Sequence, residues 1–136
     1  MAKKGTPAGG LSEIAKRAYI DGADFTLVAY TNTPDSLGPS TLAADLTQPT
    51  SANGYAPVVL NGTWSESGGV VTYDHDGSGG HPGWDASGTW SAPVTGVAII
   101  YGTRVMHFRD YDPAGSGTWI AATGKKLRVS IADVLA

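Results

Sequence analysis

The sequence predicts an all-β protein: an antiparallel β-sandwich or jelly-roll-like barrel, with a flexible N-terminal arm and one short helix. Three observations carry this. Glycine is abundant (19) and joined by 8 prolines, while charged residues make up only 15% of the 136-residue chain; that is the composition of many short strands linked by tight turns. Apolar residues alternate with a period of two in several segments. Helical periodicity is confined to one stretch near the N-terminus. A chain of this length fits one domain with a sizeable core.

Residues 1–10, MAKKGTPAGG, are small and polar, and read as a flexible arm carrying Lys3 and Lys4. Residues 11–136 form the single domain. In LSEIAKRAYIDG, Leu11, Ile14, Ala15 and Ala18 fall at helical spacing, with Ser12 as cap and Gly22 as stop. A short helix is therefore expected at about 12–20.

DFTLVAYT (24–31) is a strand with Phe25, Leu27 and Ala29 on one face and Thr26, Val28 and Tyr30 on the other. Residues 32–54 form a long polar excursion with three prolines and a short turn around Leu42–Leu46. Such a connection serves either as a contact loop or as a meander over the surface, and Leu42 and Leu46 are its candidate contact residues. A hairpin follows, from YAPVVLNGTWSES (55–67) through Ser67-Gly68-Gly69 into GVVTYDH (69–75), with a bulge expected at Asn61-Gly62. Residues 94–101 and RVMHFRDY (104–111) pair through Gly102-Thr103, a type II′ signal. TWIAAT and KKLRVSIADVL supply the last strands, with Leu127, Val129 and Ile131 facing inward.

The stretch YDHDGSGGHPGWDASGTW (73–90) gathers Asp74, His75, Asp76, His81 and Asp85 around glycines. Asp74-x-Asp76-Gly77 resembles the start of a calcium loop, but the full oxygen-ligand pattern with a terminal Glu is missing. A helical His-x₃-His zinc pair does not fit a Gly/Pro loop. The segment reads as a solvated connection, with no metal or cofactor expected. No G-x-S-x-G elbow occurs and Glu is scarce, so no catalytic residue is assigned and no enzyme is expected. His107 lies mid-strand as a satisfied or surface histidine.

The tryptophans Trp64, Trp84, Trp90 and Trp119 are open to three uses: packing, partner contact, or stacking on sugars as in a carbohydrate-binding module. Trp84, in HPGWD, is expected to be exposed and is the candidate contact ring. The net charge of −3 and the lack of a long basic run argue against nucleic acid as partner. Arg104, Arg109, Lys125, Lys126 and Arg128 read as strand rims that discourage edge pairing. No apolar run approaches the roughly 20 residues of a membrane span, so no membrane is expected. Cysteine is absent, which excludes disulfides and thiolate metal sites. The N-terminus lacks the apolar core of a secretory signal.

Gly54-Tyr55-Ala56, Trp90, Val94-Thr95-Gly96 and the closing Leu127-x-Val129-x-Ile131 together resemble a group of small virion proteins of tailed bacteriophages, over residues 12–133. That group is variously labelled head decoration, tail or fiber. The resemblance implies a structural protein made in the host cytoplasm and located in the virion. Its first form is a capsid decoration (cement) protein that grips the major capsid protein, or another virion protein, through its arm and loops. A tail or neck adaptor is the alternative. Self-association as a trimer or dimer goes with either form.

Overall fold

The computed structural model describes residues 4–5, 25–67, 70–111 and 118–135. The helix expected at 12–20, and most of the expected arm including Lys3, lie outside them. Among the described residues nine strands run in chain order: β1 (Lys4–Gly5), β2 (Phe25–Tyr30), β3 (Val58–Leu60), β4 (Thr63–Ser67), β5 (Val70–Asp74), β6 (Gly83–Asp85), β7 (Gly96–Tyr101), β8 (Arg104–Asp110) and β9 (Lys126–Arg128). A helix, α1 (Ile131–Leu135), follows. All pairings are antiparallel. They form a five-stranded sheet in the order β1-β8-β7-β2-β3 and two ribbons, β4-β5 and β6-β9. The all-β class expected from composition and alternation is what the chain adopts.

The five-stranded sheet is buried on both faces, and the period-two pattern of β2 shows how. Phe25, Leu27 and Ala29 join Val97, Ile99 and Met106 in the main core, where the ribbons deliver Tyr73, Trp84 and Leu127 from across the sheet. Val28 and Tyr30 point the other way, into a second cluster with Ala98, Val105 and Phe108, closed by Leu37 and Leu46 from the 32–47 loop. Each large side chain buried in this way contributes about 1.5–3 kcal/mol of transfer free energy. A register shift between Ile99 and Ile100 inserts one extra residue, Met106, into β8. Because of that bulge, Val105 and Phe108 reach the same face although three residues apart.

The β7–β8 hairpin turns at Gly102-Thr103, with Gly102 at φ 59° and Tyr101 opposite Arg104. Positive φ at the first turn residue alone is the II′ signature read from the sequence. Asn61-Gly62, by contrast, is not a bulge in one strand. It is the point where the chain leaves the five-stranded sheet at Leu60 and enters the β4-β5 ribbon at Thr63. Only glycine fits there: a Cβ at 62 would collide with the backbone of Asp74 and His75, and the Gly62 N–H is donated to the Tyr73 hydroxyl at 2.8 Å.

Three further expectations are corrected. TWIAAT supplies only an isolated bridge from Trp119 to Val94. The 74–89 connection contains β6, paired with β9 at Trp84↔Leu127. The closing strand ends at Arg128 and gives way to α1. Leu127, Val129 and Ile131 are nevertheless all buried, as their alternation predicts. Ser130 caps α1, its Oγ accepting the Asp133 N–H at 3.3 Å. The pattern Ser130-x-x-Asp133 was the available sequence signal for a helix start.

Candidate functional site

The 32–47 loop leaves the end of β2 and returns to it. Thr31 donates its N–H to Thr47 O at 2.7 Å, and Asn32 works in both directions, its Nδ2 donating to Asp45 O (2.9 Å) and its Oδ1 accepting from Thr47 N (2.8 Å). Thr95, at the entry to β7, ties down the same corner through Oγ1 to Asn32 O at 2.6 Å. Farther out, Ala43 N–H bonds Thr103 O at 3.0 Å and Leu42 bridges Arg104, so the loop lies along the β7–β8 hairpin. A 3-10 turn at Ala43–Asp45 provides the short turn expected near Leu42–Leu46; Asp45 Oδ2 accepts the Leu42 N–H at 2.8 Å.

Asp110 is the central fastener, and sequence reading missed it. It is 1% exposed at the end of β8. One carboxylate oxygen accepts the Tyr30 hydroxyl at 2.6 Å, the other the Asp35 N–H at 2.8 Å. Asp35 sits at φ 66°, a left-handed conformation that Asp tolerates and that this bond holds. Burial, followed by the hydrogen bond and charge of Asp110, pushes the Tyr30 hydroxyl far above its ordinary ionisation range. Gly96, opposite Asp110, makes room: any Cβ there would strike the Tyr30 ring and hydroxyl. Asp110 shares the parity of Phe108 on the buried face of β8, and this was the signal that could have revealed it.

So fastened, the loop raises a crest at 38–42. Leu42 is 52% exposed at its end, a large apolar side chain held out by a fixed backbone. Clefts of about 130 Å³ and 420 Å³ flank the crest, the first walled by Arg104, Val105 and Met106, the second by Asn32, Ser36 and Leu37. Of the expected contact residues, Leu42 is thus presented. Leu46 is not: it is 8% exposed and closes the second core cluster, because its alternation with Asp45 turns it toward Val28 and Phe108. Lys4 contributes its backbone to β1, opposite Arg109.

Trp84 is the largest correction. Expected as an exposed ring on a loop, it is 3% exposed in the main core. Its indole N–H donates to Ala56 O at 2.6 Å, it stacks on Tyr55 at 5.5 Å, and Trp90 meets it edge-on at 6.2 Å. Pairing of β6 with β9 turns the ring inward, which removes it as a partner contact and as a sugar platform. Tyr55 links this cluster to β2, accepting the Ala29 N–H (3.2 Å) and donating to Gln48 Oε1 (2.5 Å); burial raises its hydroxyl pKa to about 12.

The acids of the 74–80 turn face their own backbone. Asp74 Oδ1 accepts from the N–H groups of Gly77 and Gly79 at 3.0 Å each, and Asp76 Oδ1 from those of Ser78 and Gly80 at 2.9 Å. These bonds hold the Asp76 carboxyl down at about 2. Among the described residues, no group of three His, Asp or Glu side chains is arranged to hold a metal ion.

A third cleft, of about 470 Å³, opens between β8, β9 and α1 with Arg109 and Arg128 on its wall. Both guanidiniums knit the fold: Arg109 Nη1 donates to Asp133 O at 3.0 Å, and Arg128 holds Asp85 at 2.6 Å and Trp84 O at 3.1 Å.

No family model, no curated protein and no solved structure matches this chain.

Proposed function

We propose that this chain is a non-enzymatic structural protein of a phage virion, a capsid decoration protein that docks on the shell through the 38–42 crest and its N-terminal segment. The observation that carries the reading is Leu42, half exposed on a loop fixed at both ends and at its middle. An apolar anchor held in advance by a fixed backbone loses little entropy on binding, which is how a small contact gains affinity. The resemblance of Gly54-Tyr55-Ala56, Val94-Thr95-Gly96 and the closing apolar alternation to small virion proteins supports the same reading. The polar groups described above stabilise the scaffold: Asp110 holds the loop, Asp74 and Asp76 hold their turn, and the arginines hold α1 and β6. The shell or a second copy supplies the partner surface, and assembly as a dimer or trimer fits a symmetric particle.

The test is quantitative mass spectrometry of purified particles from an infected culture. The reading expects hundreds of copies per particle, in proportion to the capsid subunits. A few dozen copies or fewer places the protein on the tail or neck. Absence of the chain from particles overturns the virion reading altogether.

A further inference from the structure

The chain carries two Asn-Gly dipeptides, Asn53-Gly54 and Asn61-Gly62. In such a pair the glycine has no Cβ to shield its backbone nitrogen, so that nitrogen can approach the asparagine carboxamide closely. The fold treats the two pairs differently. Asn53 and Gly54, at φ 52° and 90°, are the central residues of a type I′ turn, closed by the Tyr55 N–H on Ala52 O at 3.1 Å. The Asn53 carboxamide is pinned there, its Nδ2 donating to Thr89 O at 2.7 Å. Its backbone carbonyl is pinned as well, accepting the Ser87 N–H at 3.0 Å and the Trp90 indole N–H at 2.9 Å. Asn61 is exposed, and among the described residues its carboxamide has no hydrogen-bond partner. The nitrogen beside it is engaged instead. Gly62 N–H is donated to Tyr73 Oη at 2.8 Å, and that hydroxyl lies 2.7 Å from His75 Nδ1. Because the Tyr73 oxygen accepts from Gly62, its own proton is directed to Nδ1, which assigns His75 the Nε2–H tautomer.

From this we infer that Asn61 is a self-modifying site: the Gly62 nitrogen closes on the Asn61 side chain, and Tyr73 with His75 forms the relay that takes up its proton. The Gly62 nitrogen gives its proton to the Tyr73 oxygen as Tyr73 passes its own to His75 Nδ1. The electron pair left on that nitrogen forms a bond to Asn61 Cγ. The bond from Cγ to the carboxamide nitrogen breaks, and that nitrogen leaves as ammonia, taking back through water the proton held on His75. The product is a five-membered succinimide. Water then opens the ring at either carbonyl, leaving aspartate or isoaspartate at position 61. No oxidant or further reactant is needed. Tyr73 touches the reacting nitrogen, and His75 acts through Tyr73. The consequence falls on the corner between the five-stranded sheet and the β4-β5 ribbon, which gains a negative charge. The isoaspartate form also adds a methylene to the backbone where Gly62 packs tightly against Asp74 and His75. This chemistry is independent of where the protein acts.

The test is peptide mass spectrometry of the full chain aged in neutral buffer, following deamidation at positions 53 and 61 in the same sample. A positioned base should make Asn61 react at least about tenfold faster than Asn53 in the folded chain, a modest share of what such bases contribute. In concentrated urea at the same pH the relay is gone, so Asn61 should slow and the two sites should react alike. Equal rates in the folded chain, or Asn53 ahead, overturn the proposal, as does an Asn61 that reacts faster unfolded than folded. Tyr73→Phe separates chemistry from rigidity, because the two roles move the rate in opposite directions. Loss of the relay slows deamidation of Asn61 by about tenfold. A hydroxyl that only stiffens the corner would, once removed, loosen it and speed the reaction. An unchanged or faster rate therefore overturns the relay. Should Tyr73→Phe fail to fold, His75→Gln keeps an acceptor for the hydroxyl but takes up no proton. The same slowing is expected there, and an unchanged rate contradicts the relay.

Discussion

The 32–54 and 74–89 segments are both long, polar and rich in turn-forming residues, yet they do opposite work. The first is fastened along a sheet edge by Asp110, Asn32 and Thr95, and holds the apolar side chain of Leu42 out in solvent midway along it. The second forms a self-bonded turn at 74–80 and then sends its one large ring into the core. The difference lies in what each segment meets next. Leu42 lies beside the tip of a two-stranded turn, half exposed, with no layer over it among the described residues. Trp84 lies between β9 and Tyr55, where a flat aromatic fills the space between ribbon and sheet. A loop's composition therefore does not say whether its apolar residue anchors the fold or a partner.

The largest effect expected is at Trp84. Replacing it with alanine removes a buried indole, its hydrogen bond and its stack on Tyr55, and should cost about 3–5 kcal/mol in denaturant unfolding. A loss below about 1 kcal/mol would mean the ring is not the anchor, and would dissolve the contrast between the two segments.

Next comes Asp110→Ala, which strands the buried Tyr30 hydroxyl at about 1–3 kcal/mol and also removes the bond that holds the exposed Asp35 backbone in place. Its signature is regional: hydrogen exchange should quicken over 31–47 well before it does in β7. Uniform quickening across the sheet would show that Asp110 supports the whole fold and is not a loop fastener.

The smallest effect concerns the 74–80 turn. The Asp76 pKa is depressed in the folded state, so its bonds to Ser78 and Gly80 contribute fully above the ordinary carboxylate range. They are lost as pH falls through about 2. Carboxyl titration by NMR should show Asp76 protonating near that value, with the Ser78 and Gly80 amides shifting alongside. A midpoint near 4, that of an unperturbed Asp, would mean that the turn is not held by this carboxylate.

The regular strands were legible in the sequence because alternation is a local signal. Phe25, Leu27 and Ala29, and later Leu127 and Val129, fall on the buried face their spacing assigns, and Gly102-Thr103 sets its hairpin. Long-range contacts were not legible. Trp84 turns inward because of Tyr55 and Leu127, both remote in sequence, and a glycine-rich flank has no periodicity to report that. Asn61-Gly62 carries the same letters whether it bulges or changes sheets; the approach of Asp74 decides. Leu42 and Leu46 looked equivalent until the 3-10 turn between them placed one outside and one inside.

In the proposed docking, the fixed crest, and Leu42 in particular, meets the partner. Leu42→Ser should leave unfolding stability within about 0.5 kcal/mol of wild type, as exposed substitutions do. The decisive measurement is the occupancy of this folded variant on particles, in competition with wild-type protein at equal expression. Docking through the crest predicts that the variant is largely excluded, and equal occupancy of the two would rule that docking out.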